Sequence, residues 1–300
     1  MRRSDKSSSE GAEGNQLGNS AKIDLHTHTS YSDGALSTRK LLAKAYQAGI
    51  RTISITDHDG VGSITEATEI SKEIGMSFIP GIEVSSRHKR FQLHFLGYYF
   101  DYTDGKFLSS LEILRDARIR RAERIVAKLN RLKIPLTLES VLDRAGIRNT
   151  VGRPHIANTM VEEGYAETYD EVFHKYIGIG KPAYEANPPF PPEQAITMIK
   201  KAGGLAFLAH PSTYVTDALM RSLLSSGLDG VEVIHPSHSD EQVAFFKEFA
   251  DSNSILKSGG SDFHGGLKND EGNLGSYFID EYWLGSIRAK VPAESETKEN

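Results

Sequence analysis

Cysteine is missing from all 300 residues, which excludes disulfides, thiolate-held zinc, iron–sulfur clusters and thiol catalysis. Long apolar runs are missing too. None approaches the ~20 residues that a membrane-spanning helix needs, and the N-terminus lacks the apolar core of a signal peptide. Basic charge is not in excess: 35 Lys and Arg stand against 40 Asp and Glu, a net charge of -5. That disfavours wholesale coating of nucleic acid, while a local basic patch stays compatible with RNA. The absences together lead to the expectation of a cytoplasmic protein with no membrane and no obligate protein partner. What the chain does have is histidine, 11 copies, several of them beside Asp or Glu. With 38% hydrophobic residues, it can build one large α/β core, alone or with one sizeable insertion.

Residues 1–20 are Ser, Gly, Glu and Asn with almost no apolar content and read as a disordered leader; 289–300 read as a tail of the same kind. Between them, short apolar runs alternate with helical patterns. KIDLHTH, RTISITDHD, SFIPGIEVSS, FQLHFLGYYF, GLAFLAHP, GLDGVEVIHP and SILKSGGSDFHG read as strands, and the helices 37–49 and 63–75 each close on Gly. Such alternation means a parallel sheet, open or closed as a barrel. The rhythm breaks at a basic helix over 111–133, followed by helical stretches at 138–145, 153–163 and 169–177 and a Pro-rich linker at 188–192. The expected organisation is a discontinuous core of 21–111 and 193–288, interrupted by a helical insertion over 112–192.

Nearly every expected strand ends in His, Asp or Glu: His26 and His28, His58, Glu83, His94, His210, His235, and Asp262 with His264. In a parallel α/β fold these ends meet on one face, where active sites are built. His26 and His28 are at i, i+2 and share a side. Imidazole with carboxylate suits Zn²⁺, Mn²⁺ or Fe²⁺.

At these residues the sequence resembles the PHP family, the polymerase and histidinol phosphatase phosphoesterases. The blocks that carry the resemblance are DLHTHTSYSDG (24–34), TDHD (56–59), GIEVS (81–85), LHFLGY (93–98), AHP (209–211) and SDFHG (261–265). It implies a distorted (β/α)7 barrel of the α/β class with three divalent metal ions, Mn²⁺ first and Zn²⁺ or Fe²⁺ as alternatives. By the resemblance, His26, His28, Glu83 and Asp262 hold one ion. Glu83 bridges to a second held by His94 and His210, and Asp33, His58 and His264 hold the third. The family often has His where this chain has Asp33. Three divalent ions against three carboxylates leave about three positive charges in excess, which suits a phosphate dianion and a water of lowered pKa. VGRPHIANTMVEEGY (151–165), KYIGIGKPAYE (175–185) and GVEVIHPSHS (230–239) are similar to the nucleotide-acting members, described as 3′,5′-nucleoside bisphosphate phosphatases and 5′–3′ exoribonucleases. The expected substrates are therefore nucleoside bisphosphates such as pAp and short 5′-phosphorylated RNA.

The expected catalytic groups are Glu83, Asp262, His264 and His238. Arg153 and His155 open a helix behind Gly152 and are the expected substrate-phosphate contacts, with His238 as a third. On the basic helix, Arg120, Arg124, Lys128 and Arg131 fall on one face and could track an RNA backbone, or simply be solvated. Ile113, Ala117, Ile125, Leu129 and Leu132 would form its packing face. The competing readings are a general phosphatase of the histidinol phosphatase kind, a metal-binding module without activity, and amide or lactone hydrolysis. That last chemistry usually recruits a carboxylated Lys at the bridge, where this chain has Glu83.

Overall fold

The computed structural model describes residues 21–146, 150–212 and 215–291; the expected leader and most of the expected tail lie outside the described residues. The first half of the core runs β1 (Lys22–Asp24), α1 (Thr38–Gln47), β2 (Ile50–Ile55), α2 (Ile64–Ile74), β3 (Ser77–His88) and β4 (Phe91–Tyr98). The second half runs α7 (Pro192–Lys201), β5 (Leu205–Leu208), α8 (Asp217–Ser225), β6 (Gly230–Ile234), α9 (Asp240–Ser252), β7 (Leu256–Gly259) and α10 (Glu281–Arg288). Between the halves lie α3 (Gly105–Arg131), α4 (Leu138–Ala145), α5 (Arg153–Glu162) and α6 (Tyr169–Val172), the last running into a π-helical turn, Phe173–Ile177.

The seven strands lie side by side in chain order. The sheet closes on itself past β7: Leu25 N–H donates to Gly259 O at 3.1 Å and Asp262 N–H to His26 O at 2.9 Å, with a parallel bridge from Thr27 to Phe263. Gly260 makes this closure possible, because a Cβ there would lie 2.4 Å from His26 N. The α/β barrel expected from the sequence is thus what forms, with one strand reversed. β4 is antiparallel to both β3 and β5, because β3 and β4 form one long hairpin from Gly81–Tyr98 to His88–Phe91. So His94 and Glu83 sit inside their strands rather than at strand ends. β4 runs backwards, and its N-terminal half reaches the face where the parallel strands finish.

The inserted helices build a core of their own, in which Ile125, Leu129, Val141, Ile156, Met160 and Ile177 pack together. α3 joins this core to the main one, into which its first turns bury Phe107, Leu111 and Leu114. The helix starts earlier than the sequence pattern predicts, because Asp104 caps it by accepting from Phe107 N–H at 2.7 Å. Its buried face also differs from expectation. Ile125 and Leu129 face inward as expected, but Ile113 is 67% exposed, and Leu111, Leu114, Arg118 and Arg121 complete the buried face in its place. A period counted from hydrophobic residues alone could not place two buried arginines on the packing side. Of the expected RNA-tracking stripe, Lys128 donates to Tyr184 O and pairs with Glu185 at 2.9 Å, and Arg124 approaches the same carboxylate at 3.5 Å.

Candidate metal centre

Glu83 is the middle of the site. It is 1% exposed, and its two carboxylate oxygens face different sets of imidazoles. Oε1 lies 2.7 Å from His94 Nδ1 and 2.9 Å from His210 Nε2. Oε2 lies 3.0 Å from His58 Nδ1, 3.3 Å from His28 Nε2 and 3.4 Å from His26 Nε2. Asp262 Oδ1 closes the second set, 3.0 Å from His28 Nε2 and 3.2 Å from His26 Nε2. A third group forms beside it, where Asp33 Oδ1 is 3.3 Å from His264 Nε2 and 3.7 Å from His28 Nδ1, and Asp33 Oδ2 is 3.9 Å from His58 Nε2. Eight of the nine expected ligands fall into overlapping donor groups, several of them in two, and His210 joins through its contact with Glu83.

The backbone is bent to do this. Asp59, His210 and Asp262 sit just past parallel strands at φ of 48°, 25° and 47°, a region that side chains other than glycine rarely adopt and that recurs at functional sites. Asp262 and His264 therefore reach the centre from a turn, not from a continued strand. The loops are tied down by carboxylates. Asp57 accepts from Thr29 N–H and from the hydroxyls of Thr29, Ser32 and Ser63, all within 2.8 Å. Asp24 accepts from the N–H groups of His26 and Ser261.

The electrostatics suit a cation. Burial opposes charge on Glu83, Asp33 and Asp262, yet the surrounding imidazoles, and Lys268 at Asp33, hold all three well below the ordinary carboxylate range. Burial likewise opposes charge on His28, but hydrogen bonding to Asp262 and Glu83 lifts it to about 9. His94 is held at about 4 by burial and by His58 and His210, despite Glu83. Burial pushes Asp24 up to about 7. Nε2 of His26 and of His235 and Nδ1 of His28 and of His58 are buried and make no hydrogen bond among the described residues. Buried ring nitrogens without partners are costly, and a divalent ion that displaces their protons and is held by imidazole and carboxylate satisfies them. The residues present fit such ions.

Sequence reasoning missed four groups. Glu232, fully buried, lies 2.8 Å from His26 Nδ1 and accepts from His210 N–H at 2.6 Å; it orients two expected ligands from behind. Only its place near the end of β6 hinted at this. Lys268 Nζ lies 2.6 Å from His264 Nε2 and 3.4 Å from Asp33 Oδ2. Arg118 donates to Asp59 and Ser85, both at 2.6 Å, pinning α3 to the strands. Arg121 donates through Nε to Glu185 O, while its buried Nη2 makes no hydrogen bond among the described residues. Burial, with Arg153 and Arg118 adding repulsion, lowers Arg121 to about 9.

A cleft of about 420 Å³ opens over the centre, lined by Asp33, His58 and His94 together with Arg118, Arg121 and Arg153. Arg153, expected as a phosphate contact, lines this cleft, its guanidinium 5.5 Å from the Phe173 ring centroid and 5.7 Å from that of Tyr184. The other two expected contacts are placed elsewhere. His155 turns back to cap its own helix, its Nδ1 accepting from Gly152 N–H at 3.0 Å. His238 is not among the cleft residues, and its ring nitrogens face Val233 O and Pro211 O at 2.9 and 3.2 Å. The neighbour that reaches the centre is His235, 3.3 Å from Asp262 Oδ2.

Comparison with known proteins agrees with this geometry. A PHP domain matches residues 24–182. A 3′,5′-nucleoside bisphosphate phosphatase of Chromobacterium violaceum is 31% identical over 81% of this chain and 87% of its own. A 5′-3′ exoribonuclease of Haemophilus influenzae is 33% identical over 81% of this chain and 90% of its own. A solved structure from Bifidobacterium adolescentis, assigned as a metal-dependent phosphoesterase, superposes with a TM-score of 0.84 at 32% identity, covering 90% of this chain and 96% of its own. Donor groups, barrel and relatives converge, and the chain belongs to the PHP family of metal-dependent phosphoesterases.

Proposed function

We propose that this enzyme releases phosphate from nucleoside 3′,5′-bisphosphates, with short 5′-phosphorylated RNA as a second substrate, using three divalent ions, Mn²⁺ first among them. The observation that carries the reading is the pairing, in one cleft, of the His and carboxylate donors with Arg121 and Arg153. A buried guanidinium nitrogen without a partner is expensive, and a second phosphate on the substrate would relieve that cost. A general phosphatase has no comparable need for such cations away from the reacting group.

In this reading, His26, His28, Glu83 and Asp262 hold one ion, Glu83, His94 and His210 a second, and Asp33, His58 and His264 a third. Bound there, divalent ions supply Lewis-acid stabilisation of phosphoryl oxygens and a hydrolytic water of lowered pKa. The protein's own groups do the rest. Glu232 fixes His26 with Nδ1–H toward the carboxylate, leaving Nε2 free as a donor. Arg121 and Arg153 anchor the distal phosphate, so that the other is presented to the centre in one orientation. Phe173, Tyr184 and the Ile177 carbonyl, which accepts from Nη1 at 3.3 Å, hold the Arg153 guanidinium at the cleft wall. The helical segment 112–192 acts as a cap that carries these cations.

Short RNA fits less through the exposed stripe of α3, where Glu185 already engages Lys128 and Arg124, than through the cleft itself. The test is a substrate panel in Mn²⁺: pAp, AMP, histidinol phosphate and a 5′-phosphorylated trinucleotide. The reading expects pAp to lead in kcat/KM. Histidinol phosphate leading instead would return the enzyme to the general phosphatases.

A further inference from the structure

Lys268 holds an unusual place for a cation. His264 Nδ1 lies 2.6 Å from Asp262 O, and a carbonyl only accepts, so Nδ1 carries the proton and Nε2 presents its lone pair. The Lys268 ammonium donates into that lone pair at 2.6 Å and lies 3.4 Å from Asp33 Oδ2. These are atoms of two side chains that the proposed function gives to the third ion. Its position does not come from a loose tail. The buried Asp270 carboxylate takes the N–H groups of His264 and Gly266, and the turn passes through positive φ at Gly265, Gly266 and Asn269. Yet the side chain is about one-third exposed and borders the cleft, so the ammonium has room to leave.

We propose that Lys268 is a built-in competitor for the third metal position: its ammonium and a divalent ion share Asp33 and His264 and exclude each other there. The inference rests on the three-ion reading above. It makes the third position the weak and exchangeable one, while the two positions sharing Glu83 load first. When the third ion enters, the ammonium turns into the cleft, where it adds a cation facing the substrate's phosphate.

The experiment is a titration of metal-stripped protein with Mn²⁺, by calorimetry and by equilibrium dialysis with metal analysis, on wild type, Lys268→Met and Arg153→Gln. Competition predicts two tight ions and a third at least tenfold weaker in wild type. Lys268→Met tightens only the third, by tenfold or more. Arg153→Gln removes the same charge from the same cleft without touching Asp33 or His264, and leaves the third affinity within about threefold. Lys268→Gln repeats the measurement should the methionine variant fail to fold. A crystal structure of wild type at saturating Mn²⁺ then has the ammonium withdrawn from His264 Nε2. Unchanged third-ion affinity in the Lys268 variants overturns the proposal, and so does equal tightening in Arg153→Gln, which reduces the effect to general charge repulsion. Two ions at saturation in every variant instead overturns the three-ion reading, and the competitor with it.

Discussion

Replacing Glu83 by Gln perturbs the centre at its midpoint. The side chain keeps its shape and one oxygen, but loses the charge and the equivalence of its two sides. That equivalence matters, because Oε1 faces His94 and His210 while Oε2 faces His26, His28 and His58. A group that serves one ion would cost one ion when altered; this one serves both sets, so two ions should lose affinity together. Loss of the bridge should lower kcat/KM by at least ~10³-fold, corresponding to about 4 kcal/mol of barrier. In metal-free protein the carboxylate is also the counter-charge for the imidazoles around it. Removing one partner of a buried pair costs ~3–5 kcal/mol, softened here because imidazoles can shed their protons. The assay is metal content of desalted Mn²⁺-loaded protein, kcat/KM for pAp, and urea unfolding in chelator, with circular dichroism to establish folding. A folded Glu83→Gln protein with full metal content and near-normal turnover would refute the reasoning.

Three further outcomes are expected. Arg121→Met should raise KM for pAp by ~10-fold to 100-fold, the worth of one charge-assisted contact, while an aryl phosphate changes less than about threefold; unfolding should show only a small change in stability, since the Nε bond to Glu185 O is lost while the burial cost of Nη2, which has no partner among the described residues, is relieved. Glu232→Gln weakens the hold on His26 and His210 and should cost ~10-fold to 100-fold in metal affinity, read by competition with a fluorescent chelator; unchanged affinity would make Glu232 a packing residue. Asp24 is raised by burial from 3.8 to about 7, so the folded state binds a proton more tightly than the unfolded chain. Stability of metal-free protein should then fall as pH rises between those values, by up to about 4 kcal/mol, and Asp24→Asn should flatten that slope; parallel pH profiles would count against a buried, ionising Asp24.

The nine candidate donors were legible because strand-end His and carboxylate residues stood out along the chain and the resemblance to the PHP family implied the full set, Asp33 included. What the sequence could not convey was direction. The β3–β4 hairpin reverses one strand and so puts His94 in mid-strand, and the turn at Asp262, not a strand, delivers His264. Helix openings misled for the same reason. Arg153 and His155 open α5 together, yet the imidazole is consumed by capping Gly152 while the guanidinium reaches the cleft. Arg118 and Arg121 looked like two of many surface charges, and only their burial beside Ile125 and Leu129 on the packing face of α3 reveals them. Glu232 acts on His26 and His210, which other strands supply, and Lys268 reaches His264 because the turn between them brings its ammonium back.

The central claim is that the His and carboxylate centre hydrolyses a phosphoester on a substrate held by a second phosphate. Its most direct test is phosphate release by metal-stripped protein from pAp and from AMP, followed as Mn²⁺ is restored. The account predicts no release without metal, recovery as the centre fills, and kcat/KM for pAp at least ~10-fold above that for AMP, the value of one charge-assisted contact. Turnover that is independent of metal, or equal on the two nucleotides, would contradict it.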